Sequence, residues 1–477
     1  MIDLNISGII PKNMENRGKL VLNDNLKNIE DIFNHRVIPK QAMSDEEIEL
    51  FLKLLSLMDT DKDPKSIRIG EREARTSSNI HNRLVSGFCH GVGRSGNLID
   101  PQPKAPGASV MYSLTNSILT SFLKKLGLNV SAIATPIATG MSISLCLSAL
   151  RKKYGCNTVI YPYAAHKSPI KAVSFSGLKM RLVETVLSED GESVYVPVED
   201  IENAIKKEIN KNDKYGDSNI YTTKYNINNK KEIPCVLSTL TFFPPRKSDD
   251  IVEIAKICEE YNIPHIINGA YAIQNQYYID RLKKAFKYRV DAVISSSDKN
   301  LLTPIGGGII YSKDKEFINE ISKTYPGRAC ATPIVNTLVS LLSIGLNNYK
   351  ELMKQQKESR KLLHDLLVEL ANNTNNKVLN IDSPLSICIT TNSDPVEIAG
   401  KLYNLRITGP RGVRSSDKFG NCYLGNFPYD YVVMNAAIGI KNKDIINAVD
   451  KLKYSMAKNK NIMSGEKNGN NYCNSIR

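Results

Sequence analysis

Lys299 stands where a chain can hold a reactive amine. The run Asp291-Ala-Val-Ile-Ser295 leads through Ser296, Ser297 and Asp298 into Lys299, and Asn300, Pro304 and Gly306-Gly307-Gly308 follow before Ile309-Ile310-Tyr311. This pattern predicts a short β-run ending in hydroxyls and a lysine, then a glycine-rich return that encloses the lysine in a pocket. A lysine so placed can lose its proton and attack a carbonyl. The carbonyl that best suits the setting is that of pyridoxal 5'-phosphate, with Ser296 beside the lysine on the cofactor. A lysine on a plain surface turn would share the short motif, so the other residues decide.

Gly91-Val-Gly93-Arg-Ser-Gly96 has the GxGxxG spacing. The dinucleotide reading fails, because Ser86-Gly-Phe-Cys-His precedes it where a strand is needed and Asn97-Leu-Ile-Asp-Pro101 follows where a helix is needed. Closely spaced glycines still let backbone N–H groups approach an anion, and Arg94 adds a two-pronged donor. Ser95, Gln102 and Lys104 would add donors, and Arg68, Arg72 and Arg75 add positive charge upstream. A phosphate-binding loop is expected. Thr139-Gly140-Met141 falls at a strand-to-helix turn whose N–H groups suit a second phosphate. His166, after Tyr161-Pro-Tyr-Ala-Ala, is placed to lie flat on an aromatic ring. Asn268 ends a strand in His265-Ile-Ile-Asn-Gly-Ala-Tyr271, where it would touch the ring edge of a cofactor. Arg328, in Tyr325-Pro-Gly-Arg-Ala, is a guanidinium in a turn, suited to a phosphate or carboxylate. No Ser/His/Asp spacing, HExxH or Walker-type lysine is present, so hydrolase and nucleotide-triphosphatase readings have no support.

The elements that must position these residues alternate as in a mostly parallel α/β sheet. Strands are expected at 130–137, 157–161, 180–186, 234–240, 264–268 and 291–295. Helices are expected at 140–152, 166–176, 198–209, 248–261 (with Ser248 as N-cap) and 271–288. Residues 1–60 read as a helical extension, clearest in Asp45-Glu-Glu-Ile-Glu-Leu-Phe-Leu-Lys-Leu-Leu. Residues 61–330 form the large cofactor-binding domain, 331–376 a long helical connector, 377–455 a small C-terminal α/β domain, and 456–477 a polar tail. Residues 211–231 are polar and low in complexity, an expected exposed loop.

Hydrophobic content of 42% and charged content of 23% over 477 residues are ordinary for a globular protein. No apolar run reaches the ~18 residues of a membrane span, and no leader precedes the first helix, so a cytoplasmic protein is expected. The 9 cysteines form no CxxC pair. Most lie in apolar runs, which predicts buried reduced thiols and no metal site. A net charge of +14 exceeds what a small-molecule enzyme needs and suits contact with a polyphosphate backbone. A lysine-rich proteome bias would give the same number.

Taken in order, Gly70-Glu-Arg-Glu-Ala-Arg75, His90-Gly-Val-Gly-Arg-Ser-Gly96 with Gln102-Pro-Lys, Ala138-Thr-Gly-Met-Ser142, Pro264-His-Ile-Ile-Asn-Gly-Ala-Tyr271, Ser296-Ser-Asp-Lys-Asn300 and Tyr325-Pro-Gly-Arg328 resemble the O-phosphoseryl-tRNA(Sec) selenium transferase family. The resemblance implies a fold-type-I pyridoxal-phosphate enzyme, homotetrameric, with N-terminal helices that aid assembly and tRNA contact. It implies that Lys299 carries the cofactor, that Arg72 contacts it, and that Arg94, Ser95, Gln102 and Arg328 hold the substrate phosphoryl group. Glu71 would repel a free α-carboxylate, so that only the aminoacyl ester on tRNA(Sec) is accepted, with selenophosphate as selenium donor. Asn268 stands where fold-type-I enzymes usually place an aspartate. Arg406 and Arg411, with Arg414, are a candidate contact for the tRNA acceptor arm. No membrane or DNA partner is implied. The alternatives are another fold-type-I enzyme, such as a Sep-tRNA:Cys-tRNA synthase, and a tRNA-binding homologue without chemistry. A desulfurase would need an exposed cysteine in a glycine-rich setting, and none is evident in the sequence.

Overall fold

The computed structural model describes residues 6–214 and 232–457. The segment 215–231 of the expected loop and the tail from 458 lie outside the described residues. The chain divides into two compact units, one of residues up to 186, 195–242 and 248–356, the other of 187–194, 243–247 and those from 357 on. Among the described residues, no helix is long and apolar enough to cross a membrane.

Two helices open the larger unit, α1 (Lys12–His35) and α2 (Asp45–Ser56). Ser44 and Glu47 form a reciprocal capping box at the start of α2, and Ile48, Phe51, Leu52 and Leu55 bury one stripe of it. A 3-10 turn (Thr60–Lys62), α3 (Asn79–Leu84) and α4 (Pro106–Lys125) follow. Helix α4 was not foreseen from the sequence, because small and hydroxyl residues interrupt its apolar face. It meets α2 at Gly107, where a Cβ would lie 1.8 Å from the Leu55 carbonyl oxygen. Its first turn is capped by buried Asp59, whose Oδ1 accepts from Ala108 N at 3.1 Å.

The sheet then builds through β1 (Ser131–Thr135), α5 (Thr139–Tyr154), β2 (Cys156–Pro162), α6 (Lys167–Phe175) and β3 (Lys179–Val183). A two-stranded sheet of β4 (Val186–Leu187) and β5 (Val194–Tyr195) precedes α7 (Val198–Lys214). β6 (Ile233–Thr239), α8 (Ile251–Glu260), β7 (His265–Asn268), α9 (Gln276–Ala285), β8 (Ala292–Ser296), α10 (Ser297–Leu301), β9 (Gly308–Ser312) and α11 (Lys315–Thr324) complete it. The seven strands run in the order β1-β9-β8-β7-β6-β2-β3, with β9 antiparallel to both neighbours and the remaining pairs parallel. This is the mostly parallel sheet expected. At the β1 edge, three α4 side chains on one helical stripe take up backbone groups. Tyr112 donates its hydroxyl to Ala134 O, Asn116 Oδ1 accepts Ala134 N, and Thr120 Oγ1 accepts Ala132 N.

Two helix starts differ from expectation. Helix α8 begins after Asp250, whose carboxylate accepts from Val252 and Glu253 N, whereas Ser248 donates to Leu240 O at 2.6 Å. Residues 271–275 are not helical, because the Asn300 side chain captures the N–H groups of Ile273 and Gln274; α9 starts after its cap Asn275.

The helical stretch α12 (Thr332–Thr374) is interrupted at Gly345, whose φ is 66° and ψ 168°. In the smaller unit β10 (Ser386–Thr390), α13 (Pro395–Asn404), β11 (Arg411–Val413), β12 (Tyr431–Asn435) and α14 (Asn442–Ala457) form an antiparallel sheet, ordered β10-β12-β11, with helices against it. Its core joins Leu363 and Leu367 to Ile387, Ile389, Val432 and Leu452.

Burial raises the Asp59 carboxyl to about 6, with neighbouring Asp61 adding to the rise. A raised carboxyl favours the folded state at low pH and loses that contribution as pH rises through about 6. Asp59→Asn keeps an acceptor for α4 without the charge. Its stability relative to the parent should therefore improve from pH 5 to pH 8 by roughly 1–1.5 kcal/mol in urea unfolding.

Candidate active site

The parallel strands β1, β2, β6, β7 and β8 all end at one edge of the sheet, where open α/β sheets place their ligands. Lys299 is on α10, directly after β8. Asn268 ends β7, Thr239 ends β6, His166 caps α6 after β2, and Thr139, Gly140 and Met141 open α5 after β1. One edge thus gathers the residues expected from the sequence to hold a cofactor, with Thr239 in addition.

Lys299 is exposed in the single chain, not enclosed as its setting predicts. It falls on the outer side of a one-turn helix whose inner residues Ser297, Asn300 and Leu301 are buried. Its Nζ stands 6.0 Å from the centroid of the Tyr271 ring. Burial, and then the Lys299 charge, lower the His166 imidazole below its ordinary value. The His166 ring is tilted 59° to Phe242 at 5.9 Å. Ser296 spends its hydroxyl on Asp298.

Asn300 fixes the lysine turn. Its Oδ1 accepts from Ile273 N (2.9 Å) and Gln274 N (3.2 Å), and its Nδ2 donates to Ala270 O (2.9 Å) and Ser296 O (2.7 Å). Gln274 Nε2 donates back to Lys299 O at 2.9 Å, and Tyr349 gives its hydroxyl to Asn300 O at 2.9 Å. This wholly buried amide ties α10 to the loop after β7.

Three buried polar atoms at this edge have no protein partner: Thr239 Oγ1, Asn268 Oδ1 and the Tyr271 hydroxyl. Thr239 and Asn268 are register partners in neighbouring strands. Burying unpaired polar atoms is costly, so this group is suited to face a polar ligand. Helix α5 starts at Ala138 without a side-chain cap, leaving its first amides for an anion. An aromatic aldehyde with a polar ring edge and a phosphate fits this set. Thr239, Tyr271 and Asn300 were not singled out from the sequence. Tyr271 was within reach of it, three residues beyond Asn268; the other two are visible only through their contacts.

The arginine loop is a second feature. Arg72 and Arg328 line one cavity of about 430 Å3 with His81, Cys89, His90 and Cys330. Arg94, Ser95 and Gln102 lie outside that cavity wall: Arg94 and Ser95 are exposed at a tight turn closed by Arg94 N on Asn97 O (2.9 Å). Gln102 Oε1 accepts Lys104 N at 3.4 Å. Gly91 is required there. Its φ is 72°, and a Cβ would lie 2.3 Å from Ala329 O. The other basic residues are committed elsewhere. Arg75 donates to Gly70 O and Arg68 O, Arg68 donates to Glu73 O, and Lys104 pairs with Glu73. They knit the 68–75 loop, whose Glu73 and Ala74 hold left-handed backbone (φ 50° and 55°), and Glu71 is exposed on it. Cys330 is exposed three residues after Gly327, against the expectation that no thiol has such a setting.

In the smaller unit the basic patch is partly spent. Arg414 pairs with Asp394 at 2.6 Å, and Arg411 donates to Gly420 O (2.9 Å) and stands over the Phe243 ring. Arg406 is exposed at a cavity of about 560 Å3.

A family model described as O-phosphoseryl-tRNA(Sec) selenium transferase matches residues 58–457. The O-phosphoseryl-tRNA(Sec) selenium transferase of Methanococcus maripaludis is 71% identical over 452 residues, 95% of this chain and 99% of its own. A crystal structure of an archaeal O-phosphoseryl-tRNA(Sec) selenium transferase is alike at a TM-score of 0.90 and 70% identity, covering 95% of this chain and 100% of that one. The Oryza sativa TDC solved with PLP and tryptamine shares the fold, at a TM-score of 0.56 and 11% identity over 94% of this chain and 98% of its own.

Two substitutions separate scaffold from ligand face. Asn300→Ala removes four side-chain hydrogen bonds to buried backbone groups and should lower stability by roughly 2–4 kcal/mol in urea unfolding. Asn268→Leu removes an atom with no protein partner, so the cofactor-stripped protein should keep its thermal midpoint. Pyridoxal phosphate retained after dialysis, read by absorbance, should fall.

Proposed function

Because the chain belongs to the O-phosphoseryl-tRNA(Sec) selenium transferase family, we infer that it converts O-phosphoseryl-tRNA(Sec) to selenocysteinyl-tRNA(Sec) as a pyridoxal-phosphate-dependent transferase. The observation that carries this reading is Lys299 on the turn after β8, with the unpartnered Asn268 Oδ1 at the end of neighbouring β7, in a chain alike to a member of that family over 95% of its length. The alternatives of a sulfur-transferring enzyme and a binding-only homologue have no comparable support.

The residues that would hold the cofactor are Lys299, Asn268, His166, Ser296, Arg72 and the α5 start at Thr139, Gly140 and Met141. Bound there, pyridoxal phosphate supplies an electron sink for charge at the substrate Cα. Lys299 Nζ is the base that takes the Cα proton. Arg94 and Arg328, with Ser95 and Gln102, bind the phosphoryl group and offset the charge that grows as it leaves Cβ. Glu71 repels a free α-carboxylate and so favours the esterified aminoacyl group. Selenophosphate then adds at Cβ through its selenium, Lys299 returns a proton to Cα, and water cleaves the Se–P bond to release a second phosphate.

The tRNA partner is supported by the net charge of +14, and Arg406 and Arg411 are the proposed acceptor-arm contacts. A homotetramer assembled with help from α1 and α2, working in the cytoplasm, completes the reading. The test is incubation with phosphoseryl-tRNA(Sec) and selenophosphate, with free phosphoserine as control. The parent protein should form selenocysteinyl-tRNA and leave free phosphoserine intact, and Lys299→Ala should form none. Turnover by the Lys299 variant, or equal use of free phosphoserine, would refute the assignment.

A further inference from the structure

Behind the arginine cavity lies a buried group that the reaction as described does not use. His90 is 2% exposed, and its carbonyl oxygen accepts from Arg328 Nη2. Mutual backbone bonds between Val92 and Ala329, at 3.0 and 3.1 Å, hold the two segments together just beyond. The His90 ring reaches the 3-10 turn, with Nε2 3.4 Å from Thr60 Oγ1 and 3.7 Å from Asp61 Oδ1. Asp61 is itself fixed, because its Oδ2 takes Lys62 Nζ at 2.5 Å while Lys62 also donates to Gly87 O at 2.8 Å. Thr60 Oγ1 donates to Lys104 O at 2.9 Å. Asp61 Oδ1 is buried and has no hydrogen-bond partner, so the carboxylate faces the imidazole with an acceptor in reserve.

We propose that His90, braced by Asp61, is a positioning residue for the reaction: it sets the place of the Arg328 guanidinium and thereby the affinity for the phosphoryl group. The inference rests on the assignment of Arg328 to that group. The link is mechanical. Arg328 is held by a backbone atom, and the close fit of Gly91 against Ala329 O prevents that backbone from being re-seated from the other side. The imidazole, wedged between the main chain and a fixed carboxylate, decides where the carbonyl stands. Burial keeps the ring neutral, opposed by Asp61 and aided by Arg328, so it donates or accepts a hydrogen bond without adding charge.

The test uses the full-length, cofactor-loaded protein and inorganic phosphate as probe, titrated calorimetrically and as an inhibitor of turnover. His90→Ala and Asp61→Asn should each weaken phosphate binding, and raise KM for phosphoseryl-tRNA, by about tenfold, the loss of one charge-assisted contact. Because Arg328 also offsets the charge on the leaving group, kcat should fall alongside, whereas bound pyridoxal phosphate should stay near the parent's. His90→Gln, whose amide can still reach Asp61, should restore most of the affinity. If His90→Ala does not fold, the Asp61→Asn and His90→Gln pair carries the same comparison. Unchanged phosphate affinity in Asp61→Asn and His90→Ala, or a fall in kcat and thermal midpoint without a shift in phosphate affinity, overturns the proposal. Phosphate binding is measured without tRNA, so a parent protein that binds phosphate but forms no selenocysteinyl-tRNA would refute the functional reading alone.

Discussion

One buried amide does most to determine the shape of this site. Asn300 bridges the turn that carries Lys299 and the loop that follows Asn268, and each of its polar atoms is matched. A one-turn helix has almost no stability of its own, since nucleation is unfavourable and its termini lack partners. The lysine keeps a defined place because its neighbour is locked, not because its own side chain is packed. The amine is thus left free for chemistry while its backbone is fixed, which is what preorganisation requires.

The two proposed anion sites are built on different physics. At α5 the donors are backbone amides, fixed by the helix and bearing only partial charge. At the arginine cavity they are full cations on loops, held by carbonyls and turns. Asn268 adds a further contrast, because a neutral amide stabilises a protonated ring less than a carboxylate would. Under the proposed assignment, guanidiniums on the leaving group take up part of the charge that the ring accepts less readily.

Much of this was legible in the residues. The strand end at 268, the end of β8 and the start of α5 each to within a residue, and the lysine turn follow from period and punctuation, and the ordered motifs pointed to the family. Contacts made across the fold were not legible. Asn300 read as one more polar residue in a turn, yet it shortens α9 by a turn or more. Arg68, Arg75 and Lys104 read as anion donors, whereas local carbonyls and Glu73 claim them. Composition reports how much positive charge is present, and only geometry reports how much is uncommitted. Helix α4 escaped notice because its polar stripe, which looks like a reason against burial, serves the edge of β1.

That stripe bears on how the chain is made. Strand β1 pairs only with β9, so its ladder stays open until residues beyond 308 have left the ribosome. At the usual pace of synthesis the wait is on the order of ten seconds or more. An unpaired apolar strand is an invitation to aggregate for as long as it lasts. Helix α4 emerges before β1, and Tyr112, Asn116 and Thr120 can engage its outer amides and carbonyls at once. The polar stripe thus offers the nascent strand partners on one side before the last strand supplies them on the other.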